Sequence, residues 1–311
     1  MVRGPFFYLD TPMRMSPIDW LMLITLSFIW GGSFFFNAVI LREIPTLTLV
    51  AARVSLAALA LWVFVIITGR YRSLGWRVWG ALAILGAINN ALPFSLIVHA
   101  QTTISSGLAS ILNATTPLFT ILVAGTFLSD ERLTLQRIFG VVLGLVGVVF
   151  MIGTDALSGL HENIWGQLSS LGAALAYGFG STYGRRFRRL GVDPILVAMG
   201  QVTTSSLFLW PLAFWVDAPL SLPMPSAATL WSLFSLAIFC TSIAYIFYFK
   251  ILESAGATNI SMVTFLVPVS AIVLGILFLG ETLHTSHILG MALIGLGLIV
   301  IDGRIFSRRP D

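Results

Sequence analysis

Between residues 18 and 303 the chain is a near-unbroken series of apolar stretches of helical length, parted by short polar turns. A helix rises 1.5 Å per residue and needs about 20 mainly apolar residues to cross the hydrocarbon of a bilayer. Ten stretches qualify, at about 18–40, 46–68, 78–99, 104–128, 136–153, 165–184, 194–216, 228–250, 256–279 and 286–303. Composition leaves no alternative solvent. Hydrophobic residues make up 57% and charged residues 10%, against roughly 25% charged in a soluble domain. The expected fold is therefore all-α and integral to the membrane, with ten transmembrane helices. The longest connections, Asp155–Asn163 and "DAPLSLPMPS" (Asp217 to Ser226), are too short to fold alone. The first apolar run is long enough to span and is followed by nine more, so it reads as an uncleaved helix.

The formal net charge of +4 is a statement about topology. Cytoplasmic loops collect Lys and Arg. With the N-terminus inside, the inner segments hold Arg3, Arg14, Arg70, Arg72, Arg77, Arg132, Arg137, Arg185, Arg186, Arg188, Arg189, Lys250, Arg304, Arg308 and Arg309. Only Arg42 falls in an outer loop, and Arg53 lies within a helix. Both termini are thus expected in the cytoplasm, with the tails at 1–17 and 304–311. The basic residues face acidic lipid headgroups, and a nucleic-acid partner is not supported.

One phrase is written twice. "PLFTILVAGTFLSDERLTLQRIFG" (Pro117 to Gly140) and "PVSAIVLGILFLGETLHTSHILG" (Pro268 to Gly290) both run from proline to a glutamate, with leucine two residues later and glycine nine later. The copies fall in the fourth and fifth spans and in the ninth and tenth. Trp30 in "FIWGGSFF" parallels Tyr177 in "LAYGFGST", "RVS" from Arg53 parallels "QVT" from Gln201, and His99 parallels Lys250. Each half therefore holds five spans. Five is odd, so the second half enters the membrane upside down, an architecture of secondary transporters.

The segments Ser105–Gly153 and Gly256–Gly303, with "WGGSFF" and "AARVSLAAL" in the first two spans, resemble the EamA-type repeats of the drug/metabolite transporter superfamily, in its ten-helix branch. The resemblance runs from about residue 18 to 303 and implies repeats at 18–153 and 165–303 around a central cavity. It also implies transport of amino acids, other small metabolites or drugs, or of nucleotide-sugars and triose phosphates as in relatives. "SDERL" carries one residue more than "GETL", so the two turns are not identical.

Buried polar groups are costly in hydrocarbon and face protein or a wet cavity. Proline frees the carbonyl four residues earlier. For Pro117 that is Asn113 and for Pro268 it is Thr264, so these helix kinks are expected to line the cavity. Trp30, Ser33 and Asn37 share a helix face by spacing. Asn89 and Asn90, Thr241 and Tyr245, and Tyr177 and Ser181 complete the candidate substrate-binding set, although Trp and Tyr also populate interfacial belts. Aromatic rings with amides and hydroxyls suit an amphipathic organic solute such as an amino acid. Arg53 lies roughly 10 Å inside its helix; it snorkels outward or pairs with Glu43, or else attracts a carboxylate or phosphate into the pathway.

Other chemistries find no support. One cysteine, Cys240, excludes an internal disulfide or a cysteine zinc site, and four scattered histidines give no metal motif. No cofactor motif is present, since "GFG" at 178–180 follows no strand. No acid, base and nucleophile converge as a lipid-modifying enzyme needs, and a passive channel would need no paired gates. The acidic residues sit at helix ends, in loops or in tails. Glu131 and Glu281 are expected to bond backbone amides at helix starts, leaving facilitated diffusion or exchange, or coupling through an unobvious group, as the expected mode. The glycines of the fifth and tenth spans serve packing, against each other or against a second copy.

Overall fold

The computed structural model describes residues 15–128, 134–152, 163–260 and 263–302. Among these, the helices join into ten rods. They are α1 (Pro17–Ile40), α2 (Thr46–Ile67), α3 (Trp76–Ala100), α4 (Ser106–Phe127), α5 (Leu135–Ile152), α6 (Ile164–Arg189), α7 (Pro194–Val216), α8 (227–260), α9 (263–279) and α10 (Thr285–Asp302). Six of them, α1 to α4 with α7 and α8, are long and apolar enough to cross a membrane, while α5, α9 and α10 hold shorter apolar segments. The chain is a multi-pass membrane protein. Helices suit that solvent because every backbone polar group is paired within its own segment.

Helix starts are written locally. Ser16 and Asp19 form a capping box at α1 with Pro17 in the first turn, Asp193 accepts from the Ile195 amide ahead of α7, and Ser226 caps α8. Each satisfies amides that a helix start leaves orphaned. The break expected near residue 251 is absent, and α8 continues to Ile260. The reason is a partner: the Ser254 hydroxyl donates to Asp19 Oδ1 at 2.6 Å, so a polar turn that reads as a loop is held as helix.

The two halves pack as inverted copies. α1 lies against α8 and α9 as α6 lies against α3 and α4, while α2 meets α7 and α5 meets α10. The contacts give the sense of each pair. Trp62 Nε1 donates to Thr203 Oγ1 at 3.1 Å, and Trp210 Nε1 to Ser55 Oγ at 2.8 Å. As residue numbers climb along α2 they fall along α7, so these equivalent helices run antiparallel. α5 and α10 do the same. A Cβ on Gly147 would sit 2.8 Å from the Gly290 carbonyl, and one on Gly297 2.5 Å from the Gly140 carbonyl. Without side chains there, the two backbones approach closely enough for dispersion to hold them in lipid. The glycine-rich helices thus pack against each other. Gly295, on another face, meets nothing within 4 Å.

Candidate functional site

Among the described residues, three helices carry an irregularity that periodicity did not announce; in α9 it is a π turn at the end, Gly275–Leu279, and in the other two it falls mid-helix. α3 widens into a π turn at Ala87–Ala91 and α8 into one at Ile238–Ile243. These are equivalent positions, at mid-length of equivalent rods. A π turn adds a residue to the helical circuit and re-aims the side chains around it, and such turns concentrate at functional sites. Asn89 and Asn90 lie on the first and Thr241 on the second.

The turns bring several expected residues together. The buried Asn90 donates from Nδ2 to the Tyr245 hydroxyl at 2.9 Å. One turn along α3, Phe94 packs edge-on against Tyr177, with ring centroids 6.5 Å apart. Asn89 donates to Gln201 Oε1 at 3.0 Å and fits against α6 because Gly180 offers no side chain, where a Cβ would lie 2.9 Å from that of Asn89. Trp30 meets Tyr248, with centroids at 5.7 Å. Trp30, Asn89, Tyr177, Tyr245 and Tyr248 sit among several helices yet each retains accessible surface.

Arg53 stands at the middle of this cluster. It neither snorkels nor pairs with Glu43, and only 5% of it is exposed. Its face of α2 looks at α3 and α8 and not at lipid. Nε donates to Thr241 Oγ1 at 3.0 Å, and the guanidinium carbon lies 3.9 Å over the Phe94 ring. Thr241 in turn donates to the Leu236 carbonyl at 3.0 Å, which fixes its hydroxyl. Tyr177, Tyr245 and Cys240 are close enough to feel the charge. Glu43 is instead occupied by the Ser226 amide and hydroxyl at 2.6 and 2.7 Å. Those bonds, the hydroxyl's foremost, hold its carboxyl below the ordinary value of 4.5.

Other candidates are placed differently. Asn37 is buried and donates to Gln101 Oε1 at 3.0 Å, while Gln101 donates to the Phe34 carbonyl at 2.8 Å. Ser33 turns back to the Trp30 carbonyl. The Asn37 and Gln101 bonds tie α1 to the α3–α4 turn. Ser181 is exposed and Thr264 half-buried. Pro117 does more than kink its helix: α4 breaks into Ser106–Asn113 and Thr116–Phe127. The Asn113 carbonyl it frees is retaken by the Thr116 hydroxyl at 2.7 Å, so that acceptor is not on offer, while Asn113 Oδ1 is buried without a partner. Pro268 lies inside the unbroken segment Val263–Leu274. Glu281 bonds helix-start amides, those of Ser106 at 2.7 Å and Gly107 at 3.0 Å. They belong to α4, across the bundle. Glu131 lies outside the described residues.

Phe94, Gln101 and Tyr248 were not singled out from sequence. Phe94 follows Asn90 by four residues and Tyr248 follows Tyr245 by three, so the helical face rule would have found both. Gln101, in a turn, has no such signal. Among the described residues no group of three metal-ligating side chains occurs; His284 and His287 only stack edge-on, 5.2 Å apart. A separate hollow lined by Arg70, Arg72, Asp193 and Leu196 lies at one end of the bundle and includes none of the cluster.

Fold and site define a polytopic helical membrane protein of two inverted halves enclosing polar and aromatic groups around the buried cation of Arg53. The model of the EamA-like transporter family matches the chain twice, at residues 18–153 and 164–302. The chain belongs to that family, whose members are membrane transporters and not enzymes. It is similar to the transporter YoaV of Bacillus subtilis (26% identical, 92% of this chain and 97% of that one). It also resembles protein PecM of Dickeya dadantii (28%, covering 90% and 91%). The inner membrane transporter YedA of Escherichia coli K12 is 25% identical, covering 93% and 92%. A crystal structure 20% identical in sequence shares the fold, with a TM-score of 0.65 over 94% of this chain and 99% of that one.

Proposed function

We propose that this EamA-type transporter moves small organic metabolites such as amino acids across the inner (plasma) membrane, as an exporter or exchanger. Residues 18–153 and 165–303 act as two units that rock about a shared site, opening it to one side and then the other. Both termini face the cytoplasm, as the arginine distribution indicates. The solute is held by Trp30, Asn89, Tyr177, Tyr245 and Arg53. Asn37, Gln101 and Glu281 are polar ties at one end of the bundle that break when that end opens.

The observation that carries this reading is a polar cluster midway along the rods, to which equivalent π turns, one from each half, contribute Asn89, Asn90 and Thr241. A channel would not need two halves that mirror each other across the site. The test is counterflow in liposomes holding the purified chain, with a panel of amino acids, nucleosides and amphipathic cations. Solute on the far side should accelerate uptake of the labelled solute, and uptake should saturate. Linear flux indifferent to the far side would sink the carrier reading in favour of a channel.

A further inference from the structure

We infer that Arg53 is the anchor for a carboxylate of the solute, which makes the transported class monocarboxylates or zwitterions with an apolar or aromatic body. This rests on the transport reading above and names its substrate charge. A buried cation without a counter-ion is among the most expensive features a membrane bundle can hold. Arg53 has none. Of the acidic side chains described, Asp19 is held by Ser16 and Ser254, and Glu43 by Ser226. Asp193 takes the Ile195 amide and Arg70, Asp217 takes Thr48, Glu281 takes the start of α4, and Glu253 is exposed.

The guanidinium is also only partly used. Nε is committed to Thr241, but neither terminal nitrogen donates to any described residue. Two adjacent N–H donors with no partner among the described residues match the two oxygens of one carboxylate, the fork geometry in which arginine excels. One cation balances one negative charge, so a carboxylate leaves the site neutral and a phosphate dianion does not. The rings of Phe94, Tyr177 and Tyr245 then surround the body of the solute.

The test uses the full-length chain in detergent and in liposomes, with four probes sharing a benzene ring. These are phenylacetate, L-phenylalanine, L-phenylalaninamide and phenyl phosphate. Thermal stabilisation by the first two should saturate. Arg53→Gln should raise their half-saturating concentration at least about tenfold, the worth of a charge-assisted hydrogen bond, and change that of the amide less than about twofold. Arg53→Lys should recover part of the loss, because it restores charge without the fork. Unchanged carboxylate binding in Arg53→Gln, equal losses for all probes, or a preference for phenyl phosphate would overturn the assignment. So would a wild-type chain that no carboxylate stabilises. Arginine-dependent binding without counterflow would support this subsite and sink the transport reading instead.

Discussion

Arg53 in α2 and Gln201 in α7 hold the same place in the two halves. Around them the halves agree: Trp62 bonds Thr203 as Trp210 bonds Ser55, and the glycines of α5 and α10 exchange contacts in mirror fashion. At this one place they part. Arg53 donates to a threonine on the π turn of α8, whereas Gln201 accepts from an asparagine on the π turn of α3. The duplicated scaffold supplies two equivalent ways to open, and the unequal pair supplies one charge. A symmetric cation pair would repel itself at the pseudo-axis, while a symmetric amide pair would bind no anion firmly. The asymmetry is where specificity resides, and the symmetry is where motion resides.

Making the pair symmetric is the strongest way to break that comparison. Gln201→Arg adds a second buried cation and is expected to cost about 2.5–3.5 kcal/mol, seen as a fall in thermal midpoint of the purified chain. Unchanged stability would mean that α7 faces water at this point. Next come the mirrored glycines. Gly147→Val and Gly297→Val should each destabilise by about 1–3 kcal/mol, because a side chain there meets backbone that cannot yield. Their effects should match, whereas Gly295→Ala, with open space beside it, should be neutral or stabilising. Unequal losses at 147 and 297 would show that the mirror packing is only apparent.

Smaller effects sharpen the picture. Trp62→Phe and Trp210→Phe each remove one hydrogen bond between α2 and α7 and should cost about 1 kcal/mol apiece, measured as paired shifts in unfolding midpoint. The smallest is at the Glu43–Ser226 contact, which has no mirror among the described residues. Its carboxyl is held low by Ser226, so the contact is complete above the ordinary glutamate value of 4.5 and is lost as pH falls through the depressed folded value. Hydrogen exchange at the Ser226 amide should rise only on that acid side, and Glu43→Gln should abolish the dependence.

Much of the fold was legible because hydrocarbon tolerates few solutions. Apolar runs of fixed length announce helices, and an odd number of them per repeat forces inversion. The antiparallel glycine contact of α5 with α10 follows that logic. The site was legible by residue type and not by partner. Asn90 does meet Tyr245 and Thr241 meets Arg53, but Asn37 is spent on Gln101 and the carbonyl freed by Pro117 is retaken by Thr116. Polar side chains in a membrane all look alike in sequence, since each simply needs a partner. Nothing local says whether that partner is protein or solute.

By itself, then, the sequence determined the solvent, the helical class and the inverted duplication, for these follow from hydropathy and counting along the chain. Only the tertiary structure decided the fate of Arg53. Whether a buried guanidinium reaches water, a carboxylate or nothing depends on side chains nearly 190 positions away, brought beside it by a π turn that hydropathy does not encode.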